Sequence, residues 1–302
     1  MHTKAVPTVY LIDASIYIFR AWFSVPDSMR GEDGTPVNAV YGFCRFLTEF
    51  VERTQASHVA VAFDESLTQS FRNELYPAYK MNRELPPEDL ARQFQLCRRV
   101  AEAAGLFCVA HERYEADDLI ATLSLIARDQ GYRNAIVSGD KDLTQLLRGG
   151  DFWWDFARNQ QLDAARVKDK FGVPPETIQD YLGLCGDAVD NIPGVPGVGP
   201  KTASALLQAF GDMDQVYRNL DAISTLKIRG AKTLAGKLSQ HEAQARLSRE
   251  LATVAYDAPV DAELDNFRRR AAEQNSLQEI SHVIGGRGAG LFERLSVAAR
   301  AQ

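Results

Sequence analysis

Val9-Tyr10-Leu11-Ile12-Asp13, Val59-Ala60-Val61-Ala62-Phe63-Asp64 and Ala135-Ile136-Val137-Ser138-Gly139-Asp140 are short apolar runs, partly β-branched, and each stops at an aspartate. Consecutive apolar residues over so short a length suit strands buried on both faces, as in a parallel sheet covered by helices. Leu106-Phe107-Cys108-Val109 reads as a further strand of the same sheet, and residues 40–52 and 90–104 carry helical patterns between the strands. Strands alternating with helices give an α/β fold with a mostly parallel central sheet flanked by helices. In such sheets ligands bind beyond the carboxyl ends of the strands. Asp13, Asp64 and Asp140 therefore arrive independently at one edge.

Composition permits this and excludes several alternatives. A chain of 302 residues, 45% of them hydrophobic, can bury one large core or two linked ones. The start, Met1-His2-Thr3-Lys4-Ala5-Val6-Pro7, leads into a short apolar stretch broken by Asp13, too short and too polar for a signal peptide or a membrane span. Cys44, Cys97, Cys108 and Cys185 are scattered without a Cys-x-x-Cys pair, which disfavours zinc and disulfide frameworks and points to a reducing cytosol. The formal charge of −6 weighs mildly against a nucleic-acid partner. That weight is small if the acids concentrate at one cation-binding site and basic patches lie elsewhere.

After about residue 170 strand signals stop. Residues 1–170 read as an α/β domain and residues 171–302 as a mainly helical C-terminal region. The latter contains a Gly/Pro-punctuated turn at 192–200, a basic stretch Lys227-Ile228-Arg229-Gly230-Ala231-Lys232 followed by Lys237, and a loop at Gly285-Gly286-Arg287-Gly288-Ala289-Gly290.

Three acidic clusters join the strand-end aspartates. Glu115-Ala116-Asp117-Asp118 opens an amphipathic helix with Leu119, Leu123 and Ile126 on its apolar face; Asp140-Lys141-Asp142 closes a strand; Asp187-Ala188-Val189-Asp190 precedes the turn. Each alone has a plain reading, since acids favour helix N-termini and caps. Together, nine carboxylates converging on one sheet edge would raise one another's pKa values and repel, which makes a cation-free cluster costly. Oxygen-rich, cysteine-free ligation suits Mg²⁺ or Mn²⁺, and two such ions can promote phosphodiester hydrolysis. No Gly-x-x-x-x-Gly-Lys-Ser/Thr loop and no Ser/His/Asp arrangement is legible, so nucleotide-triphosphate hydrolysis and serine catalysis lack support.

These stretches, with Tyr114 before the Glu115 cluster and the continuous run Gly186-Asp187-Ala188-Val189-Asp190-Asn191-Ile192-Pro193-Gly194-Val195-Pro196-Gly197-Val198-Gly199-Pro200-Lys201-Thr202-Ala203, resemble the 5′-nuclease (flap-endonuclease) family in order and spacing from about residue 8 to about 258. The resemblance implies a PIN-like 5′-nuclease fold with a helical arch around residues 70–95 and a helix–hairpin–helix-type element at about 180–210. It implies that Asp13, Asp64, Glu115 and Asp117 hold a first metal ion, and that Asp118, Asp140, Asp142, Asp187 and Asp190 serve a second, partly through water. Phe71-Arg72 and Tyr79-Lys80-Met81-Asn82-Arg83 correspond to the arch. Lys80 and Arg83, three apart, would share a helix face and bond the scissile phosphate. Tyr79 would stack on a base, Arg72 would contact DNA, and Arg20 would stand near the active site. Gly194, Gly197 and Gly199 would form a hairpin gripping duplex DNA without reading sequence, with a K⁺ ion held by its carbonyls. Lys201, Thr202, Lys227, Arg229, Lys232 and Lys237 would extend that backbone contact.

The activity expected from this resemblance is 5′→3′ exonuclease and flap endonuclease on DNA, extending to RNA primers hybridised to DNA, in a cytoplasmic, nucleoid-associated monomer. No polymerase portion follows Gln302 in the sequence, so a DNA polymerase acting in trans is the expected partner. Two rivals stay open on sequence alone: a non-catalytic binder of branched DNA, and a PIN-type ribonuclease, whose domains share the strand-end aspartates but usually lack the arch and hairpin.

Overall fold

A computed structural model describes residues 6–65, 69–228, 230–286 and 288–300. Strand β1 (Thr8–Asp13) is followed by helices α1 (Ala14–Ser24) and α2 (Asn38–Thr54), then β2 (His58–Asp64), the short α3 (Phe71–Leu75), α4 (Glu88–Ala103), β3 (Phe107–His111), α5 (Ala116–Asp129) and β4 (Arg133–Val137). Two strands that the sequence pattern did not reveal, β5 (Phe152–Asp155) and β6 (Gln160–Leu162), complete a six-stranded sheet in the order β3-β2-β1-β4-β5-β6. All neighbouring pairs are parallel except β5 with β6.

The chain leaves β1 toward β2 and β3 on one side, then returns to place β4 on the other, so the strand order reverses at β1. A crevice opens at such a switch point, beyond the carboxyl ends of the central strands. Asp13 closes β1 and Asp64 closes β2, while β4 ends at Val137 and releases Ser138, Gly139 and Asp140 into that crevice.

Alternation along the strands divides the interior into two cores. Val9 and Leu11, with Ala60, Ala62 and Ile136, face α5 and the helices that follow the sheet. Ile12, Val59, Val61, Phe63 and Val137 face α1, α2 and α4.

Beyond the sheet come α6 (Ala164–Phe171), α7 (Ile178–Cys185), α8 (Pro200–Phe210), α9 (Met213–Arg218), α10 (Ala231–Gln240), α11 (Glu242–Ala252), α12 (Gln274–Val283) and α13 (Ala289–Arg300). The last two do not stay with their neighbours: Leu277, Ile280, Phe292 and Leu295 join the core on the α2 and α4 side. Ala289 and Gly290, expected in a loop, open α13; Arg287 lies outside the described residues. No helix among the described residues is long and apolar enough to cross a membrane.

The segment between α3 and α4 departs from expectation. Residues 76–87 form turns, not a helix, and Lys80 has φ +54°. Its conformation is set from outside: the Lys80 N–H donates to the Asp190 carbonyl at 3.0 Å, and the Asn191 amide donates to the Ala78 carbonyl at 2.6 Å. Lys80 and Arg83 therefore do not share a helix face.

Candidate active site

Asp13 caps α1, accepting the Ile16 N–H at 3.4 Å, and its second oxygen accepts the Ser138 hydroxyl at 2.8 Å. Burial, then the charges of Asp64 and Asp140, push its carboxyl up to about 7 despite those bonds. Asp64 accepts the Ala116 N–H at 2.8 Å, which fixes β2 against the start of α5. Asp117, in the first turn of α5, is raised well above the usual carboxylate range by burial and by Asp140 and Asp13. Asp140 is raised by burial and by Asp190, against the lowering effect of the Asp142 N–H that it accepts at 2.8 Å. Asp142 is raised well above its usual range by burial, Asp140, Asp187 and Asp190. Shared partners bring these groups together: the Ser138 hydroxyl donates to Asp13 and accepts the Asp140 N–H, Asp64 accepts from the start of α5, and the Tyr79 hydroxyl bonds both Glu115 and Asp190. Side chains from β1, β2, α5, the β4 exit and the loop after α7 thus meet in one crevice.

Cations from the 76–87 turns enter the same crevice. Lys80 Nζ lies 2.8 Å from Glu115 and 3.7 Å from Asp190, and Arg83 pairs with Asp190. Burial alone would raise Glu115, but the charges of Lys80 and Arg72, with bonds from Lys80 and the Tyr79 hydroxyl, bring it down to about 2. Lys141 pairs with Asp187 and stands 3.7 Å from Asp142 Oδ1. The loop carrying Asp187 and Asp190 is pinched by Asp187 and Ile192, whose N–H and C=O groups bond each other at 2.8 and 2.9 Å.

Among the described residues, no three His, Cys, Asp or Glu side chains form a ready-made metal cage. Lysine and arginine are interleaved with the acids instead. The donor set nonetheless suits a hard divalent cation, being all carboxylate. The buried Asp142 Oδ1 has no hydrogen-bond partner, an unusual condition for a carboxyl oxygen inside a protein.

Three residues expected at the DNA surface or among the metal ligands are placed otherwise. Arg72 is 2% exposed, so it offers nothing to an incoming phosphate. It binds Asp118 through two 2.8 Å bonds, Glu115 at 3.2 Å, and the carbonyls of Leu251 and Thr253 at 2.8 and 2.9 Å. Asp118 is fully buried, and its oxygens also accept the N–H groups of Glu115 (3.1 Å) and Ala255 (2.8 Å). With both oxygens so committed, it anchors Arg72 and the α5 cap. Tyr79, 4% exposed, lies in the core with its hydroxyl on Glu115 (3.0 Å) and Asp190 (3.4 Å), so its ring is closed to a base.

Arg20 stands at the rim, bonded to Asp155 at 2.6 and 2.8 Å. It presses on the β4 exit so closely that a Cβ at Gly139 would come within 2.3 Å of its guanidinium. Asp155 was invisible to sequence reading because its strand was.

The turn between α7 and α8 is compact: Gly194 and Gly197 have φ +59° and +81°, and Gly199 is the N-cap of α8. A Cβ on Gly197 would lie 3.2 Å from Lys237 Nζ, which puts that lysine over the turn. Lys201, Lys227 and Lys232 are exposed and Thr202 is half-buried, whereas Arg229 lies outside the described residues.

An acidic crevice at the strand switch point, edged by lysine and arginine, has the all-oxygen donor set on which metal-assisted phosphodiester hydrolysis can be built. Residues 8–172 match the pattern described as the 5′-3′ exonuclease N-terminal resolvase-like domain, and residues 173–275 match the 5′-3′ exonuclease C-terminal SAM fold. The chain belongs to the 5′-3′ exonuclease family. It is 32% identical over 279 residues to a 5′-3′ exonuclease of Buchnera aphidicola, covering 92% of this chain and 96% of that one. DNA polymerase I of Rhizobium leguminosarum is 40% identical over 264 residues, covering 85% of this chain but 25% of the polymerase. The chain thus spans about a quarter of that relative's length. In structure it resembles the bacteriophage T5 flap endonuclease in a complex with DNA and metal ions, with a TM-score of 0.65, 18% identity, and coverage of 97% of this chain and 99% of that one.

Proposed function

We propose that this chain is a structure-specific 5′-nuclease that hydrolyses phosphodiester bonds of DNA at 5′ flaps and 5′ ends, using two Mg²⁺ or Mn²⁺ ions. The observation that carries this reading is the meeting of Asp13, Asp117, Asp140 and Asp142 in one crevice where each carboxyl is raised by burial and by other carboxylates. Cations relieve that repulsion, and phosphate brings none. Asp13, Asp64, Glu115 and Asp117 would hold one ion, and Asp140, Asp142, Asp187 and Asp190 the other. Bound there, the ions would activate a water and stabilise the departing oxygen.

The remaining work belongs to side chains of this protein. Lys80 and Arg83 bind carboxylates through groups that can equally donate charge-assisted bonds to a phosphate. On a bound strand they would hold the scissile phosphate over the acids. Arg20, kept in place by Asp155, supports the Ser138–Asp140 turn and presents a guanidinium at its rim. Residues 1–170 would then supply the chemistry and the region from 171 the duplex grip. In that grip Gly194, Gly197 and Gly199, with Lys201, Thr202, Lys227, Lys232 and Lys237, would contact the backbone, and the carbonyls of the turn would hold K⁺. We further propose RNA–DNA hybrids as substrates, a monomeric state, a nucleoid location and a polymerase partner in trans.

The test is a panel of 5′-labelled flap, nicked, gapped and single-stranded DNAs incubated with Mg²⁺ and then with EDTA. Short 5′ products released only with the metal, mapped to the junction, are expected. A shifted but uncut band would favour a non-catalytic binder of branched DNA.

A further inference from the structure

The cluster contains a cation that the proposed chemistry does not use. Lys141 lies between two members of the acidic set, its Nζ paired with Asp187 and 3.7 Å from Asp142 Oδ1. Asp187 and Asp142 are 7% and 9% exposed. Asp142 Oδ1 accepts no hydrogen bond, although the other buried acids nearby are bonded. That oxygen faces the ammonium from beyond hydrogen-bond length, an arrangement that a shorter, stronger ligand could improve. The carbon stem of Lys141 is not locked in: its side chain is 43% exposed, so the ammonium can swing into solvent without breaking the core.

We infer that Lys141 is an internal competitor for the second divalent cation, occupying its place between Asp142 and Asp187 and leaving when the ion enters. The inference rests on the proposed assignment of Asp142, Asp187 and Asp190 to that ion. The affinity of the second site is then the difference between two cations binding the same oxygens. The two lysines differ in reach: Lys80 from the 76–87 turns bridges Glu115 of the first site and Asp190 of the second, whereas Lys141, from the metal-binding turn itself, is confined to the second-site acids Asp142 and Asp187. Phosphate arriving in the crevice gives the displaced ammonium a new partner, so DNA and the second ion would assist each other's binding.

The experiment is Mn²⁺ binding to the full chain without DNA, followed by the electron paramagnetic resonance of free Mn²⁺, for the wild type, Lys141→Met and Lys141→Arg. A nearby like charge shifts ionic equilibria by about one to three powers of ten. Lys141→Met should therefore tighten one of two Mn²⁺ sites by at least about tenfold, leave the other within about twofold, and raise the Mn²⁺-induced increase in Tm. Lys141→Arg, which keeps the charge, should not tighten either site. Unchanged or weaker binding by a Lys141→Met protein with a cooperative melt would overturn the inference and leave the nuclease reading intact. Failure of the wild type to bind Mn²⁺ at all would overturn both. If Lys141→Met does not fold, Lys141→Gln takes its place under the same criteria.

Discussion

Asp13 keeps its carboxyl near 7 because it is buried beside Asp64 and Asp140, and the consequence for stability has a definite sign. Between the ordinary value of 3.8 and about 7, the folded chain retains a proton that the unfolded chain has released. Stability in EDTA must then fall as pH rises through that window. Asp117, Asp140 and Asp142 are raised as well and act in the same direction. Glu115, lowered to about 2, loses its contribution only in more acidic solution. Thermal melts in EDTA from about pH 4.5 to about 7.5 should show Tm declining, and Asp13→Asn should flatten the decline. A Tm that climbs over this range would contradict the buried, mutually repelling cluster. The chemistry has its own test at Asp140: Asp140→Ala should lower single-turnover cleavage by at least about 10²-fold, the scale of losing one preorganised electrostatic group. Binding to duplex DNA should survive, and an equal loss of binding would assign Asp140 a structural role.

Among the elements, the turns on either side of α8 yield the sharpest prediction, because Gly194 before it and Gly211 after it differ in what surrounds them. At Gly194, φ is +59° and a Cβ would lie 2.3 Å from the Gly186 nitrogen, so both backbone conformation and space forbid a side chain. At Gly211, φ is +97°, yet nothing lies within 4 Å of the added carbon. Gly194→Ala should therefore cost about 2 kcal/mol or more, and Gly211→Ala nearer 1, measured by urea unfolding. Equal costs would mean that close packing at Gly194 yields easily. The contrast also marks what sequence could reveal. β1, β2 and β4 were legible because their apolar runs are continuous and end at a polar residue, and so was the strand-end placement of Asp13, Asp64 and Asp140. β5 was not, since Phe152-Trp153-Trp154-Asp155 is only four residues long and its pairing with β4 is a long-range fact. The sequence of the 76–87 turns reads as helix because the bonds that fix Ala78 and Lys80 run to Asp190 and Asn191, more than a hundred residues away. Arg72 and Tyr79 read as DNA-facing for a related reason: a basic or aromatic residue reads as a surface group until its buried partner is known, here Asp118 for Arg72 and Glu115 for Tyr79.

At the scale of the whole molecule, the match of residues 8–172 and 173–275 to two separate patterns suggests two parts, but the packing joins them. One continuous apolar cluster runs from Val9 and Leu11 through Leu119 and Leu123 to Val195, Leu206, Leu251 and Phe267. Arg72 crosses the same boundary, binding Asp118 and Glu115 on one side and the carbonyls of Leu251 and Thr253 on the other. The last helices, α12 and α13, then return to cover α2 and α4. A fragment of residues 1–172 would thus lose cover from both faces of the sheet and leave the Arg72 guanidinium short of two acceptors. Such a loss exposes large apolar surface and breaks a buried charge network, an effect of several kcal/mol against a total stability of about 5–15. We expect the isolated 1–172 fragment to keep helical far-UV circular dichroism while losing near-UV signal and a cooperative melt. Arg72→Met in the full chain should lower stability by about 3 kcal/mol or more, since it leaves Asp118 buried without its partner. A double-mutant cycle with Asp118→Asn should recover part of that loss. A fragment that melts as sharply as the full chain, together with additive effects at Arg72 and Asp118, would show instead that the sheet stands alone and that the helical half merely rests upon it.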